Sequence, residues 1–382
     1  MVWKKQAKIN NQKIKELKWC SNCVMMSTRP RISFNKEGLC NACEWSLEKK
    51  KLNWSQRKTE LGKLLKRHRK KNGKFDCLVP CSGGKDGSYV AYNLKHKYNM
   101  NPLCVTVNPP LRSEIGKKNL DSFIKSGYEL VSVDCDYNTM QKFNIIAFRN
   151  MGSPYLGWWT ACHTAVTKVA LAFEIGLIFY GEDGEVEYGG SKESKKNPIN
   201  DFEYQKRIYL EGGYDKIMES IKLSKKSLNF FKFPDSNKRS KKLDISHWSY
   251  FENWDPYRNF LIAKKFCGLK ESFSGNSGTF TNFAQNDQSL YALHTYLMYL
   301  KFGFGRASQD ACIEIRRGAM DRKQAINLVK LYDGIFPGEF LDQYLSYFKM
   351  NKSEFFKVLD KFANKNLLRK SKNKWLRKFE II

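Results

Sequence analysis

The sequence predicts an α/β chain: a parallel-sheet core preceded by an N-terminal cysteine knuckle and followed by a C-terminal helical region. Three observations carry that expectation. Between residues 75 and 181, short apolar runs of strand length alternate with stretches of helical periodicity. The first such run passes into a helix through a paired-glycine turn, Ser82-Gly83-Gly84-Lys85-Asp86. Upstream, four cysteines stand as two C-x2-C pairs, Cys20/Cys23 and Cys40/Cys43.

The chain has 382 residues, more than one typical domain holds, and 42% hydrophobic and 14% aromatic residues, enough for sizeable cores. Residues 1–74 are expected to hold a basic arm, the knuckle and linker helices around Trp45, Leu52, Leu61 and Leu65. Each C-x2-C pair supplies two corners of a tetrahedral thiolate site, for which zinc is the default ion, and four thiolates leave no open position for chemistry.

The core, 75–190, is expected to run strand 75–81, helix 86–99, strand 102–108, helix 114–126, strand 129–133, helices 138–150 and 161–175, and strand 177–181. Strands separated by helices make a parallel sheet, whose ligands sit beyond the carboxyl ends of the strands. Residues 191–246 are polar and lysine-rich, with helical periodicity only at 214–223, and are expected to be an insertion or mobile loops. Residues 247–382 read as mainly helical, with helices near 289–302, 309–315, 322–331, 339–349 and 353–363 and a basic tail at 370–378. The aromatic-dense turn His247–Tyr257 suits either stacking on a ring or core packing.

The net charge of +29 resides in four segments: +5 in 1–18, +10 in 48–74, +7 in 221–242 and +8 in 361–378. Everything else is near neutral, and the excess of lysine over arginine reads as solvated faces, with an RNA or acidic-partner surface as the alternative. No apolar run approaches the roughly 20 residues a membrane helix needs, and the basic N-terminus has no apolar signal region. A cytoplasmic chain without membrane insertion is expected. Eleven cysteines in a chain of this length do not read as a disulfide framework.

Glycines between a strand and a helix let backbone N–H groups curl around an anion at the positive end of the helix dipole. A Walker A loop needs glycine where Val79 stands and Ser or Thr where Asp86 stands, so that reading is excluded. The order Ser82-Gly83-Gly84-Lys85-Asp86-Gly87-Ser88 resembles the PP-loop of ATP pyrophosphatases, which cleave ATP between its α and β phosphates and adenylate a substrate oxygen. In the usual pattern Ser follows Asp directly; here Gly87 intervenes and displaces Ser88. At the end of the last core strand, Gly181-Glu182-Asp183-Gly184-Glu185 brings carboxylates to the same sheet edge, suited to the magnesium that accompanies ATP. Cys162 and His163 are helix neighbours that point to different faces and form no dyad with each other.

A wider resemblance spans nearly the whole chain. The knuckle, SGGKDGSYVAY at 82–92, YGEDGEVEYGG at 180–190, the run GTFTNFAQNDQSLYALHTYLMYLKFGFGRAS at 278–308 and Ala325–Gly334 look like the N-acetyl sugar amidotransferase family of bacterial surface-polysaccharide pathways (lipopolysaccharide O-antigen, pseudaminic acid). That resemblance implies a PP-loop, adenine nucleotide α-hydrolase-like core. The implied reaction adenylates an acetamido oxygen of a nucleotide-linked N-acetyl sugar and replaces it with ammonia, releasing AMP and pyrophosphate. Backbone at Gly83 and Gly84, with Lys85, would hold the pyrophosphate; Asp86 would bind magnesium or orient the phosphates; Glu182 and Asp183 would hold metal or nucleotide. There is no Cys at position 2 and no Gly-x-Cys-x-Gly turn, so ammonia is expected from a separate supplier. The resemblance points to partners like the glutaminase and cyclase subunits of histidine biosynthesis. The alternatives are a PP-loop tRNA-modifying enzyme of thiolation or lysidine type, which would use the basic segments on nucleic acid, and a non-catalytic zinc- and ATP-binding regulatory module.

Overall fold

The computed structural model describes residues 14–71, 73–210, 218–219, 226–234, 243–372 and 374–382. The arm before residue 14, Asn72, most of the periodic stretch 214–223 and most of the basic segment 221–242 lie outside the described residues.

A six-stranded sheet organises the chain. Its strands are β1 (Cys77–Pro80), β2 (Pro102–Val107), β3 (Leu130–Val133), β4 (Leu177–Tyr180), β5 (Ile199–Asn200) and β6 (Asp244–His247), in the order β3-β2-β1-β4-β6-β5. All neighbours are parallel except β5, which pairs antiparallel with β6 at the edge. β2 is buried at every position, as expected of a parallel strand covered on both faces. The chain leaves β1 toward β2 on one side, while β4 begins the other side. The switch point therefore falls between β1 and β4, where open α/β sheets seat their ligands.

The helices in chain order are α1 (Asn41–Lys49), α2 (Trp54–His68), α3 (Lys85–Tyr92), α4 (Glu114–Lys125), α5 (Tyr137–Met151), α6 (Leu156–Ala172), the short α7 (Gly184–Tyr188), α8 (Pro256–Cys267), α9 (Leu290–Phe302), α10 (Arg306–Arg316), α11 (Arg322–Tyr332), α12 (Leu341–Phe348) and α13 (Lys352–Phe362). One face of the sheet packs against α5 and α6 through Phe143, Trp158, Ala161 and Ala165; the other packs against α2, α3 and α8 through Leu61, Val90 and Cys267. Each fully buried Val or Leu in these layers contributes about 1.5–3 kcal/mol. Helices α9, α12 and α13 close a third core, and α10 and α11 pack on the cysteine knuckle.

Three expectations are revised by the fold. Residues 191–246 contribute β5 and β6, so the sheet has six strands instead of the four read from the sequence; Asp244–His247 is short and follows a lysine run, and only its pairing with β4 identifies it. Helix α6 starts at Leu156, five residues before the expected 161, because Trp158 and Trp159 belong to its first turn. The basic tail forms a hairpin of β7 (Leu368–Ser371) and β8 (Lys374–Arg377), held by buried Leu368 and Trp375, whose indole donates to Asp360 at 2.9 Å. Trp248, Phe251 and Trp254 of the aromatic turn are core residues, 1%, 4% and 5% exposed. Among the described residues no helix is long and apolar enough to cross a membrane.

Candidate active site and metal centre

The chain leaves β1 at Pro80 and enters α3 through Ser82–Gly84. Gly83 has φ +81°, and a Cβ there would meet the α4 backbone at Asn119 and Leu120 at 2.6 Å. The turn is thus pressed against α4 and needs glycine for both conformation and space. Gly87 is the residue that departs from the usual pattern, and its environment explains it. A Cβ at Gly87 would sit 2.6 Å from the Pro80 carbonyl oxygen and 2.9 Å from Cys81 Cα, so glycine lets α3 lie directly on the end of β1. Ser88 is wholly buried, with its hydroxyl 3.8 Å from the Cys81 sulfur, on the core side of the helix. Gly84 caps α3 and offers no side chain to bond the first-turn N–H groups.

These residues open into a cavity of about 360 Å³ lined by Ser82, Gly84, Lys85, Asp86, Gly87 and Glu182 among the expected site residues. Gly181 lies against it: a Cβ there would be 3.1 Å from Asp86 Cβ. Asp86 pairs with Lys85 through Oδ2, while its Oδ1 is buried without a hydrogen-bond partner among the described residues. Burial and the Asp86 charge push the Glu182 carboxyl up to about 7, and Tyr188 donates to it at 3.3 Å. An orphaned carboxylate oxygen beside a second carboxyl whose ionisation burial and the first charge oppose is an oxygen-donor set that a hard divalent cation would relieve.

Asp183 is turned elsewhere. It caps α7 by accepting from Glu185 N at 3.0 Å, and it also accepts from Tyr209 at 2.9 Å and from Ser194. The structure therefore brings Asp86 together with Glu182 and not with Asp183. His163 is buried, bonded to Gln205 at 3.1 Å, and held neutral by burial, which lowers its pKa to about 4; burial raises the Cys162 thiol.

The opposite wall comes from the C-terminal region, and its residues were not singled out in the sequence. Asp287 lines the same cavity as Ser82, and burial raises its pKa to about 6. Arg306 pairs with Asp310 at 2.8 Å, and Thr279 donates to the same carboxylate at 2.6 Å. The signal was their place inside or just beyond the run 278–308.

The second centre is the knuckle. Cys20, Cys23, Cys40 and Cys43 are buried, and their sulfurs all lie within 4.8 Å of one another. The Cys23 and Cys40 sulfurs are 3.8 Å apart, the edge expected of a tetrahedron with metal–sulfur bonds of about 2.3 Å. Backbone N–H groups of Cys23 and Cys40 donate to the Cys20 sulfur at 3.5 and 3.2 Å, and Asn22 donates to Cys43 at 3.3 Å. The set fits a single metal ion, and such donors orient and polarise the thiolates. From α10, Cys312 packs in the same buried cluster as Cys23 and the other three cysteines. Burial works against the Arg316 charge, but the sulfurs of Cys312, Cys23, Cys43 and Cys40 more than offset it. Helix α10 thus spans from the metal centre to Arg306 and Asp310 in the cavity wall.

Residues 277–380 match the family described as LPS biosynthesis protein WbpG-like, C-terminal domain. That segment supplies Asp287, Arg306 and Asp310. The uncharacterized protein MJ1599 of Methanocaldococcus jannaschii is 37% identical over 90 residues, 23% of this chain and 32% of that protein, so the chain spans about a third of the curated relative it matches. Among solved structures, the U34-tRNA thiolase NcsA from Methanococcus maripaludis, determined with its 4Fe–4S cluster, aligns over 87% of this chain and 95% of that chain, at 15% identity and a TM-score of 0.28.

Proposed function

We propose that the chain is an ATP-dependent amidotransferase of surface-sugar biosynthesis, converting an acetamido group of a nucleotide-linked N-acetyl sugar to an acetamidino group. The observation that carries this reading is the cavity itself. It joins the glycine turn at the start of α3, the Asp86–Glu182 pair, and a wall drawn from the segment that resembles an LPS biosynthesis domain.

An amide oxygen is a poor leaving group, so ammonia does not displace it unaided. The acetamido oxygen attacks the α-phosphorus of ATP and pyrophosphate departs. Backbone N–H groups at Gly83, Gly84 and Lys85, with the Lys85 ammonium, hold the departing pyrophosphate. Asp86 and Glu182 would hold a magnesium ion, which offsets phosphate charge. Ammonia then attacks the imidate carbon; the C–O bond breaks, AMP leaves with the former amide oxygen, and loss of a proton gives the amidine. Arg306 supplies a fixed cation in the wall, where Asp287 also lines the cavity with Ser82 of the loop. Zinc in the four-cysteine site serves folding, and ammonia comes from a separate glutaminase-type supplier.

Mass spectrometry of the product formed from UDP-linked acetamido uronates with ATP and ammonium tests the reading. Replacement of oxygen by NH, with AMP and pyrophosphate released, is expected. An unchanged sugar mass across all candidates overturns it.

A further inference from the structure

Tyr155 and Trp159 line the phosphate-loop cavity and also a second cavity of about 320 Å³. The second cavity is bounded by the knuckle through Arg29 and Arg31, by the start of α6, and by α9 through His294 and Lys301. Its lining among the described residues carries three cationic side chains, Arg29, Arg31 and Lys301, and a single carboxylate, Glu185, which Arg31 engages at 2.6 Å. Lys301 is held by the carbonyls of Met151 and Gly152 at 2.7 and 2.8 Å. Arg29 Nε and His294 Nδ1 are both buried without a hydrogen-bond partner among the described residues. Burial, with the charges of Lys301 and Arg306 nearby, lowers the His294 pKa to about 3, so its ring is neutral. Arg29 is half-buried, with Glu185 as a nearby carboxylate, and its buried Nε is left without a partner; the planar guanidinium fork matches carboxylate or phosphate oxygens.

We propose that this second cavity seats the anionic part of the acceptor, a phosphate- or carboxylate-bearing sugar, with Arg29 pairing the anion and His294 bonding a neutral polar group beside it. The acetamido group then reaches the phosphate loop past Tyr155 and Trp159. This assignment rests on the amidotransferase reading and adds to it where the acceptor binds and what charge it carries.

The test is binding of UDP-N-acetylglucosaminuronate, followed by calorimetry, with UMP and free N-acetylglucosaminuronate as separate arms that distinguish a phosphate from a carboxylate anchor. Arg29→Gln is expected to weaken the probe by roughly tenfold or more, the loss of one charge-assisted pair, with Arg29→Lys intermediate. ATP affinity is expected to stay within about twofold, since ATP occupies the other cavity. Met298→Glu, which puts a carboxylate in the same wall and leaves Arg29 in place, is expected to weaken the probe as well. Unchanged probe binding in both variants overturns the proposal, as does equal loss of ATP and probe. If the probe binds through Arg29 but no acetamido sugar supports pyrophosphate release, the anion site stands and the amidotransferase reading falls. If the wild type turns over and Arg29→Gln leaves KM unchanged, the reading stands and the anion site falls.

Discussion

Glu182→Gln isolates the electrostatics of the phosphate-loop cavity. In the folded protein the Glu182 carboxyl titrates near 7 instead of 4.5, first because it is buried and second because Asp86 is beside it. Each pKa unit is about 1.4 kcal/mol, so ionised Glu182 costs the fold at most about 3.5 kcal/mol. A carboxyl whose folded pKa lies above its unfolded value takes up a proton on folding. Its stabilising share is full below about pH 4.5 and is lost as pH rises through about 7. Denaturant unfolding without divalent cations is therefore expected to show wild type and Glu182→Gln alike near pH 4.5 and the variant more stable at pH 8. Magnesium should reverse the order at pH 8, because a bound cation favours the ionised pair that the variant lacks. Coincident stabilities of the two proteins across this pH range, with no differential response to magnesium, would refute the assignment of Asp86 and Glu182 to one cation site.

Asp86→Ala is expected to abolish pyrophosphate release while zinc content, read by atomic absorption, stays at the wild-type level; full activity would show the loop has been misread. Gly87→Ala should lose about 1–3 kcal/mol of stability by overpacking against Pro80 and Cys81, measured by urea unfolding, and a stability equal to wild type would contradict the close helix–strand contact. Cys40→Ser should release the bound metal to a chelator far more readily than wild type and lower the melting temperature, since binding energy at a structural thiolate site is folding energy. Retention of one tightly held metal ion in that variant would remove Cys40 from the ligand set.

The glycine turn, the strands around it and the four cysteines were legible because each is a local pattern: a fixed spacing or a period of side chains. The roles of neighbouring residues were not. Glu182 and Asp183 look equivalent in the sequence, yet only Glu182 reaches the cavity, because Asp183 caps α7 and is tied to Ser194 and Tyr209. An Asp before Gly-Glu at a helix start is a capping signal, and it was outweighed by the attraction of an acidic cluster. Ser88 likewise carries a phosphate-loop residue type but is wholly buried, with its hydroxyl beside the Cys81 sulfur. Asp287 and Arg306 lie more than two hundred residues beyond the loop, and only tertiary packing brings them to it. β6 escaped detection because four residues after a lysine run carry too little periodicity; its register with β4 is a property of the sheet.

Adenylation of the acetamido oxygen is the central claim, and transfer of that oxygen tests it most directly. With an acceptor carrying ¹⁸O in its acetyl group, ATP and ammonium, the label is expected in AMP and absent from pyrophosphate. Label appearing in inorganic phosphate, or remaining in the sugar while ATP is consumed, would contradict the account.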